Sequence, residues 1–467
     1  MGDKRVLAFD EEAAYPALGV PLRRGADFAE VFFEDKAETR VDSDGERVCA
    51  ASLTHMRGAG LYLLSGQDTR YGYTNDASPA GIAALADDIS SALAWDSPAP
   101  AREPRALGEA RVPASPNAIA LDPTDVPLER KKAVLLDICR RARGFDPRIV
   151  DAHADYQDRV QNVAVLNSEG LLTRERRVIT TLRLYVTASE GGRSNANWSN
   201  YSMAAGFECL EDEERRAAMV AKTCGGALNG LHAVSVKPEV MPVVVDSGTF
   251  IHEDCGHPLE STHLAGGASV FFGKIGQRVA SPLVTILDDG AQSGLCGSAA
   301  MSDEGVTSAP NLLIEDGILR GYMVDRLGSR QLGMAQTAAG RRQDYRFAPV
   351  ARMTNTYMRA GTTPNDSIIP SVSHGLYVSE VGGGNVNPTT GNFNFLAAAG
   401  YLIENGELTY PIANINLSGQ SIDALMRVAA VGDTYHPDDG SLCGADSGLI
   451  YVTAYMPRIL IDGMLVG

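Results

Sequence analysis

The chain has 467 residues, 44% of them hydrophobic, and a formal net charge of −17. A chain this long builds a core without disulfides or metals, and so acidic a balance argues against nucleic acid or an anionic membrane as partner. No run approaches the ~18 apolar residues of a membrane span; residues 1–16 carry acids and no apolar stretch, so no secretory signal is expected; and seven scattered cysteines with no CxxC pair read as reduced, cytoplasmic thiols.

From Gly25 to Gly72 the pattern predicts strands and hairpins. Residues 29–35 and 47–53 flank a turn at Asp42–Gly45, and residues 60–66 follow as a further strand. Ala77–Trp95 predicts a helix: Ser78 can cap it, Pro79 suits its first turn, and Ile82, Leu85, Ile89 and Leu93 fall on one stripe. Residues 97–127 hold seven prolines and many alanines, the composition of a surface linker or an extended wrap. Leu128–Arg143 predicts a second helix, with Leu135, Ile138 and Ala142 inward and its basic residues outward. Arg159–Thr187 predicts strands turning at Asn167–Gly170, and Glu211–Cys224 a third helix with acids in its first turn. After Gly230 helical periodicity becomes rare. Short β-rich runs take over at 241–245, 282–287, 375–381, 393–403, 410–419 and 448–456, separated by Gly-rich turns. The expected fold class is therefore α+β. Residues 1–232 form a domain of helices packed on an antiparallel sheet; residues 233–467 form a mostly antiparallel β domain with one short helix. The boundary falls near Leu231–Glu239, and no internal period of 20–50 residues argues for a repeat architecture.

The chemistry concentrates at Asp246–His257. A β-run feeds an Asp-Ser-Gly turn and then a short helix carrying His-Glu-x-x-x-His, from His252 to His257. In the commoner zinc-protease pattern the histidines stand at i and i+4, on one helix face. At i and i+5 both reach one ion only if the helix ends or bulges between them. Gly256 offers an easy break, and Pro258 helps end the helix. Two neutral imidazoles would hold Zn²⁺, and Glu253 would act as general base on a water held by the metal. A third protein ligand is required, from Cys255, Cys296, Cys443, His436 or a carboxylate. Cys255, two residues before His257, would strain a chelate and reads better as a core thiol. Cys443 lies in the Gly-flanked loop Gly440–Asp446, where functional groups concentrate, and a thiolate is a good zinc donor. His263, His374 and His436 have no spacing signal. Gly382–Gly384 lacks the Lys and helix of a phosphate loop, and no Gly-x-Ser-x-Gly elbow supports a serine hydrolase.

Taken together, five segments resemble the TldD/PmbA metallopeptidases over nearly the whole chain: Gly72–Asp76 (Gly-Tyr-x-x-Asn-Asp), His252–His257, Met353–Tyr357 (Met-Thr-Asn-Thr-Tyr), Gly375–Phe393 and Gly400–Gly406. The resemblance implies a zinc peptidase, with one Zn²⁺ per chain held by His252, His257 and Cys443 and with Glu253 as the catalytic glutamate. It also implies peptide substrates and a homodimer, or a heterodimer with a motif-less paralogue, whose sites face an enclosed cavity. Asn355, Tyr377, Gly383 and Gly384 are the candidate substrate contacts. One departure is Pro258-Leu-Glu-Ser-Thr262, where the family more often has Gly-Leu-Glu followed by Gly or Ala and Asp; the detail around Glu260 does not carry over. The expected activity is hydrolysis of short or unfolded peptides. The alternatives are a metal-assisted amidase on a small molecule and a non-catalytic scaffold or regulatory subunit of a dimer.

Overall fold

The computed structural model describes residues 9–92, 95, 98–435 and 439–467. The sequence readings placed on residues 1–8, on Leu93 and on His436 lie outside them.

The amino-terminal part is built on one antiparallel sheet of strands β1 (Phe28–Ser43), β2 (Val48–Ser65), β3 (Asp68–Thr74), β4 (Ile149–Asn167), β5 (Leu172–Glu190) and β6 (Arg193–Met203), in the order β3-β2-β1-β4-β5-β6. The runs at 47–53 and 60–66 are one continuous 18-residue strand, β2, not two. Its ladder to β1 continues through Met56, Arg57 and Gly58, where the sequence pattern breaks.

Helices cover this sheet as their apolar stripes require. Pro79–Ser91 is capped by Ser78, whose Oγ accepts from the Gly81 N–H, and buries Ile82 and Ala86. Leu128–Arg143 turns Leu135, Ile138, Cys139 and Ala142 onto Tyr156, Leu182 and Leu184. One of its basic residues departs from the expected outward face: Lys131 is buried, and its Nζ meets Asp158 Oδ2 on β4 at 2.5 Å. The third helix runs Glu213–Gly230, beyond the expected end at Cys224, because Met219, Val220, Cys224 and Ala227 keep one apolar stripe against the same cluster. Within the Pro/Ala-rich stretch, the N–H groups of Arg105, Gly108 and Arg111 donate to the carbonyls of Ser168, Gly170 and Leu172. That stretch is a wrap pinned along the sheet.

The carboxy-terminal part holds the remaining strands. One sheet has the order β10-β9-β8-β13-β20-β19, from β8 (Ile286–Asp288), β9 (Asn311–Glu315), β10 (Ile318–Leu319), β13 (Asn355–Met358), β19 (Ser441–Ala445) and β20 (Gly448–Tyr455). β11 (Gly340–Arg341) and β12 (Val350–Ala351) form a separate pair. The other large sheet joins β7 (Glu239–Val245), β14 (His374–Val386), β15 (Asn392–Glu404), β16 (Glu407–Ile412), β17 (Ile415–Gln420), β18 (Val428–Tyr435) and β21 (Pro457–Val466). Its order β14-β7-β21-β17-β15, with β14 also paired to β15, closes on itself. The ring is a five-stranded barrel, which removes the open edges of those strands where they pair; β14 pairs with β7 only from Leu376 to Val378, and β16 and β18 attach outside the ring.

Pairing here is mostly antiparallel, but β7–β14 and β13–β20 are parallel. The expected single helix is joined by further short ones, among them Arg326–Leu332 and Ser421–Met426. The run at 410–419 breaks into β16 and β17 at Asn414, which holds φ 59°. Among the described residues no helix is long and apolar enough to cross a membrane.

Candidate metal centre

The His-Glu-x-x-x-His segment leaves the barrel directly from β7. Thr249–Ile251 is α-helical, His252–Gly256 is a π-helical turn and His257–Leu259 is a 3₁₀ turn. The His257 N–H donates to the His252 carbonyl, an i→i+5 bond. A π turn holds more residues than the 3.6 of an α turn, so it returns residue i+5 toward the face of residue i. This is the bulge that the five-residue spacing demands. Gly256 itself keeps a right-handed helical conformation, φ −57° and ψ −63°. Its role is room, not freedom: a Cβ there would overlap Met353 Sδ. Phe250, one turn earlier, locks the segment to the barrel by standing edge-on to Phe393 and Phe395 at 6.0 and 5.6 Å.

The third participant comes from the other sheet. Cys443 lies on β19, and its Sγ stands 3.3 Å from His252 Nε2 and 3.4 Å from His257 Nε2. The imidazoles are nearly perpendicular, at 82°. All three donor atoms lie within 4.8 Å of one another. A tetrahedral ion with bonds of about 2.0–2.3 Å separates nitrogen and sulfur ligands by about 3.5 Å, so the donor set and its spacing fit such an ion.

The surroundings fix each donor. His257 Nδ1 lies 3.1 Å from Glu260 Oε2, which points Nε2 at Cys443 as the atom that would give up its proton to bind an ion. Glu260 is buried, its Oε1 accepts from the Met353 N–H, and His263 Nε2 stands 3.8 Å from its Oε2. Arg352, 1% exposed, donates to the Cys443 carbonyl at 2.7 Å and to Ser447 Oγ and the Gly448 carbonyl, while its Nε lies 3.8 Å from Glu260 Oε1. One buried guanidinium thus ties the cysteine hairpin to the histidine segment. Burial holds the His252 imidazole well below its ordinary pKa, and the charges of His257 and Arg352 act the same way. For His257 burial pulls down, but Glu260 and Cys443 outweigh it and push the metal-free imidazole up to about 11. Burial raises the Glu253 carboxyl; nearby His257 opposes this and Glu260 adds to it. Asp254 is wholly buried, and desolvation drives its carboxyl well up, toward the neutral acid.

Other candidate residues lie elsewhere. Cys255 is a core thiol whose Sγ meets the Ile251 carbonyl, and Cys296 Sγ meets the Val452 carbonyl at 2.8 Å. Asn355 is fully buried: its amide donates to the Asp289 carbonyl and Ser298 Oγ, and its oxygen accepts from the Gly297 N–H. Its side chain is spent inside the fold. Tyr377 Oη donates to Asp246 Oδ2. Gly383 and Gly384 sit where the β14–β15 register slips three times, and β14 runs past the π turn, with the Val381 N–H donating to Ser247 Oγ. Glu260 and Arg352 were not predicted from sequence. Only the i+3 spacing of Glu260 from His257 hinted at a partner.

Residues 238–467 match the model of the PmbA/TldA metallopeptidase C-terminal domain, and residues 121–227 that of the PmbA/TldA metallopeptidase central domain. The chain is 33% identical over 455 residues to a Haemophilus influenzae protein named Metalloprotease TldD homolog, covering 95% of this chain and 93% of that one. It is 31% identical over 348 residues to a Methanothermobacter thermautotrophicus protein named Metalloprotease, covering 74% and 75%. Its fold is similar to that of TldE from Thermococcus kodakarensis, with a TM-score of 0.74 at 16% identity, covering 97% of this chain and all of that one.

Proposed function

The chain belongs to the PmbA/TldD family of metallopeptidases, and from that premise we propose that it is a zinc peptidase with His252, His257 and Cys443 as ligands of one ion and Glu253 as its acid–base group. The observation that carries this reading is the convergence of two imidazole nitrogens and a thiol sulfur from two different sheets. Two nitrogens and a sulfur form a three-ligand set that leaves a fourth position open, as catalytic zinc requires. Bound there, zinc would supply Lewis-acid activation of water and of the scissile carbonyl.

The chain's own residues do the rest. His252, kept neutral by burial, offers Nε2 without losing a proton. His257 is turned to its Nε2 lone pair by giving Nδ1–H to Glu260. Glu253 takes the proton of the attacking water and delivers it to the leaving amine; a carboxyl raised by burial is matched to both halves of that transfer. The substrate is a short or unfolded peptide, and β14 beyond Val378, no longer paired to β7, is the edge along which an extended chain adds as a strand. A homodimer, or a heterodimer with a motif-less relative, encloses the site in a cavity; the fold shared with TldE is consistent with such a partner. A reducing, cytoplasmic setting suits a thiolate ligand.

The test is zinc content and peptidase activity of the purified chain without any partner. Stoichiometric zinc with cleavage of short peptides is the expected result. Zinc without activity would leave the centre in place and transfer catalysis to the heterodimer. Absence of both would refute the assignment.

A further inference from the structure

A cavity of about 450 Å³ opens on the amino-terminal sheet, far in sequence from the three donors and within the usual size range of small-ligand sites. Tyr73 and Asn75, from the Gly72–Asp76 motif that the chemistry at His252 leaves unused, line it. Tyr345 Oη donates to Asn75 Oδ1, which leaves the amide nitrogen as the donor end of that side chain, and the Tyr345 ring stands edge-on to Tyr73 at 6.1 Å.

Lys36 is the decisive member. It is 3% exposed, yet among the described residues its ammonium has ion-pair partners only at 3.5, 3.8 and 4.0 Å, from Glu34, Asp344 and Glu38. These exceed the 2.7–3.2 Å typical of a hydrogen bond. Two of the three carboxylates are more closely engaged elsewhere: Asp344 takes both arms of Arg346 at 2.9 and 2.8 Å, and Glu38 takes Arg159 Nε at 2.6 Å. Glu34 accepts from Gln161 and from the Tyr345 N–H, and burial pushes its carboxyl upward, toward the neutral form. His55, at the wall, is already paired with Asp35. Each of the three carboxylates is thus held more closely by another donor than by the Lys36 ammonium. A buried ammonium without a close acceptor is costly, and one more carboxylate would relieve it. Beside that place, Met56 and the Tyr73 and Tyr345 rings offer apolar surface.

The ligand this describes is one free carboxylate adjoining an apolar side chain. We infer that the cavity binds the free carboxyl-terminal end of a peptide, with Lys36 and Asn75 on the carboxylate and the last side chain against Met56 and Tyr73. The inference rests on the peptidase reading. The site is also linked to the metal centre through hydrogen bonds and packing: the segment that contributes Tyr345 and Arg346 begins at Arg341, whose guanidinium holds the carbonyls of Met353 and Tyr451, and Met353 packs on Gly256.

The experiment is calorimetric binding of acetyl-Gly-Leu, its carboxyl-terminal amide and free leucine to the full chain carrying Glu253→Gln, with and without a chelator. The acid should bind about tenfold more tightly than the amide, the effect of one charge-assisted contact, and the chelator should not change that ratio. Lys36→Met and Asn75→Ala should each reduce the ratio, while Tyr73→Ala should weaken acid and amide alike. Equal binding of acid and amide overturns the inference, as does an acid preference that survives both Lys36→Met and Asn75→Ala. A preference lost with the chelator assigns the carboxylate to the metal centre and likewise overturns it. Free leucine binding as tightly as the dipeptide replaces a peptide end by a free amino acid. None of these outcomes depends on whether Glu253 is the catalytic group.

Discussion

His257 and Glu260 face each other across one turn, with Nδ1 3.1 Å from Oε2, and the carboxylate's other oxygen accepts from the Met353 N–H. Only a carboxylate can accept at both oxygens. In Glu260→Gln one of those places falls to an NH₂ group. If that group faces His257, Nδ1 becomes the acceptor and the proton moves to Nε2, the atom that must bind the ion. We expect Glu260→Gln to weaken zinc binding ~10–100-fold, the usual scale for a ligand's supporting carboxylate. Competition against a chromogenic chelator measures this, and wild-type affinity would remove Glu260 from the centre.

Glu253→Gln keeps size and polarity but cannot hold the transferred proton. Turnover should fall by ~10²–10⁴-fold or more, since one group serves as base and then as acid. Zinc content should stay near wild type. Activity within a few-fold of wild type would mean that another group moves the proton.

Cys443→Ala should lower zinc occupancy sharply, whereas Cys255→Ala and Cys296→Ala should leave it intact, because those sulfurs meet the Ile251 and Val452 carbonyls instead. The apo protein should remain folded, since a core of this size does not depend on one ion. Elemental analysis beside a thermal melt separates loss of metal from loss of fold. Full zinc in the Cys443 variant would hand the third position to another donor.

Metal affinity should rise with pH, and the sign follows from the imidazoles. His252 is held neutral by burial and releases nothing on binding. Metal-free His257, pushed up to about 11 by Glu260 and Cys443 against the effect of burial, carries a proton throughout the neutral range and must lose it to bind. Below that pKa, apparent affinity should climb at least about tenfold per pH unit, because each bound ion displaces at least one proton. Chelator competition between about pH 6 and 9 gives the slope, and a flat profile would place the proton elsewhere.

The histidine pair was legible in the sequence because it is local; its spacing even required the helix to end or bulge between them, though not which. The π turn escaped because helical patterns are read at 3.6 residues per turn. Arg352 escaped for a different reason. Its partners, the Cys443 carbonyl and Glu260, lie 91 and 92 residues away, and no spacing rule connects them. The inward turn of Lys131 likewise depends on Asp158, on a strand. Barrel closure rests on pairings such as β7–β21, which join opposite ends of the carboxy-terminal part. Local pattern marked those strands but not their neighbours.

Substrate choice should follow from the strand edge. β14 is paired to β7 only from Leu376 to Val378, and its continuation runs past the π turn that carries Glu253. An open strand edge offers N–H and C=O groups to an extended chain and reads little of its side chains. A folded domain presents no such chain except when it opens. With a stability of ~5 kcal/mol, the smallest usual for a domain, it is open only ~10⁻³ of the time or less. A matched pair tests this: one stable domain given native, and the same domain supplied as its own peptide fragments. The fragments should be cut on the order of 10³-fold faster. Strongly acidic fragments should lag at low salt, repelled by the −17 net charge, and recover as salt screens it. Equal rates on the native domain and its fragments would show that the site is neither enclosed nor reached by strand addition.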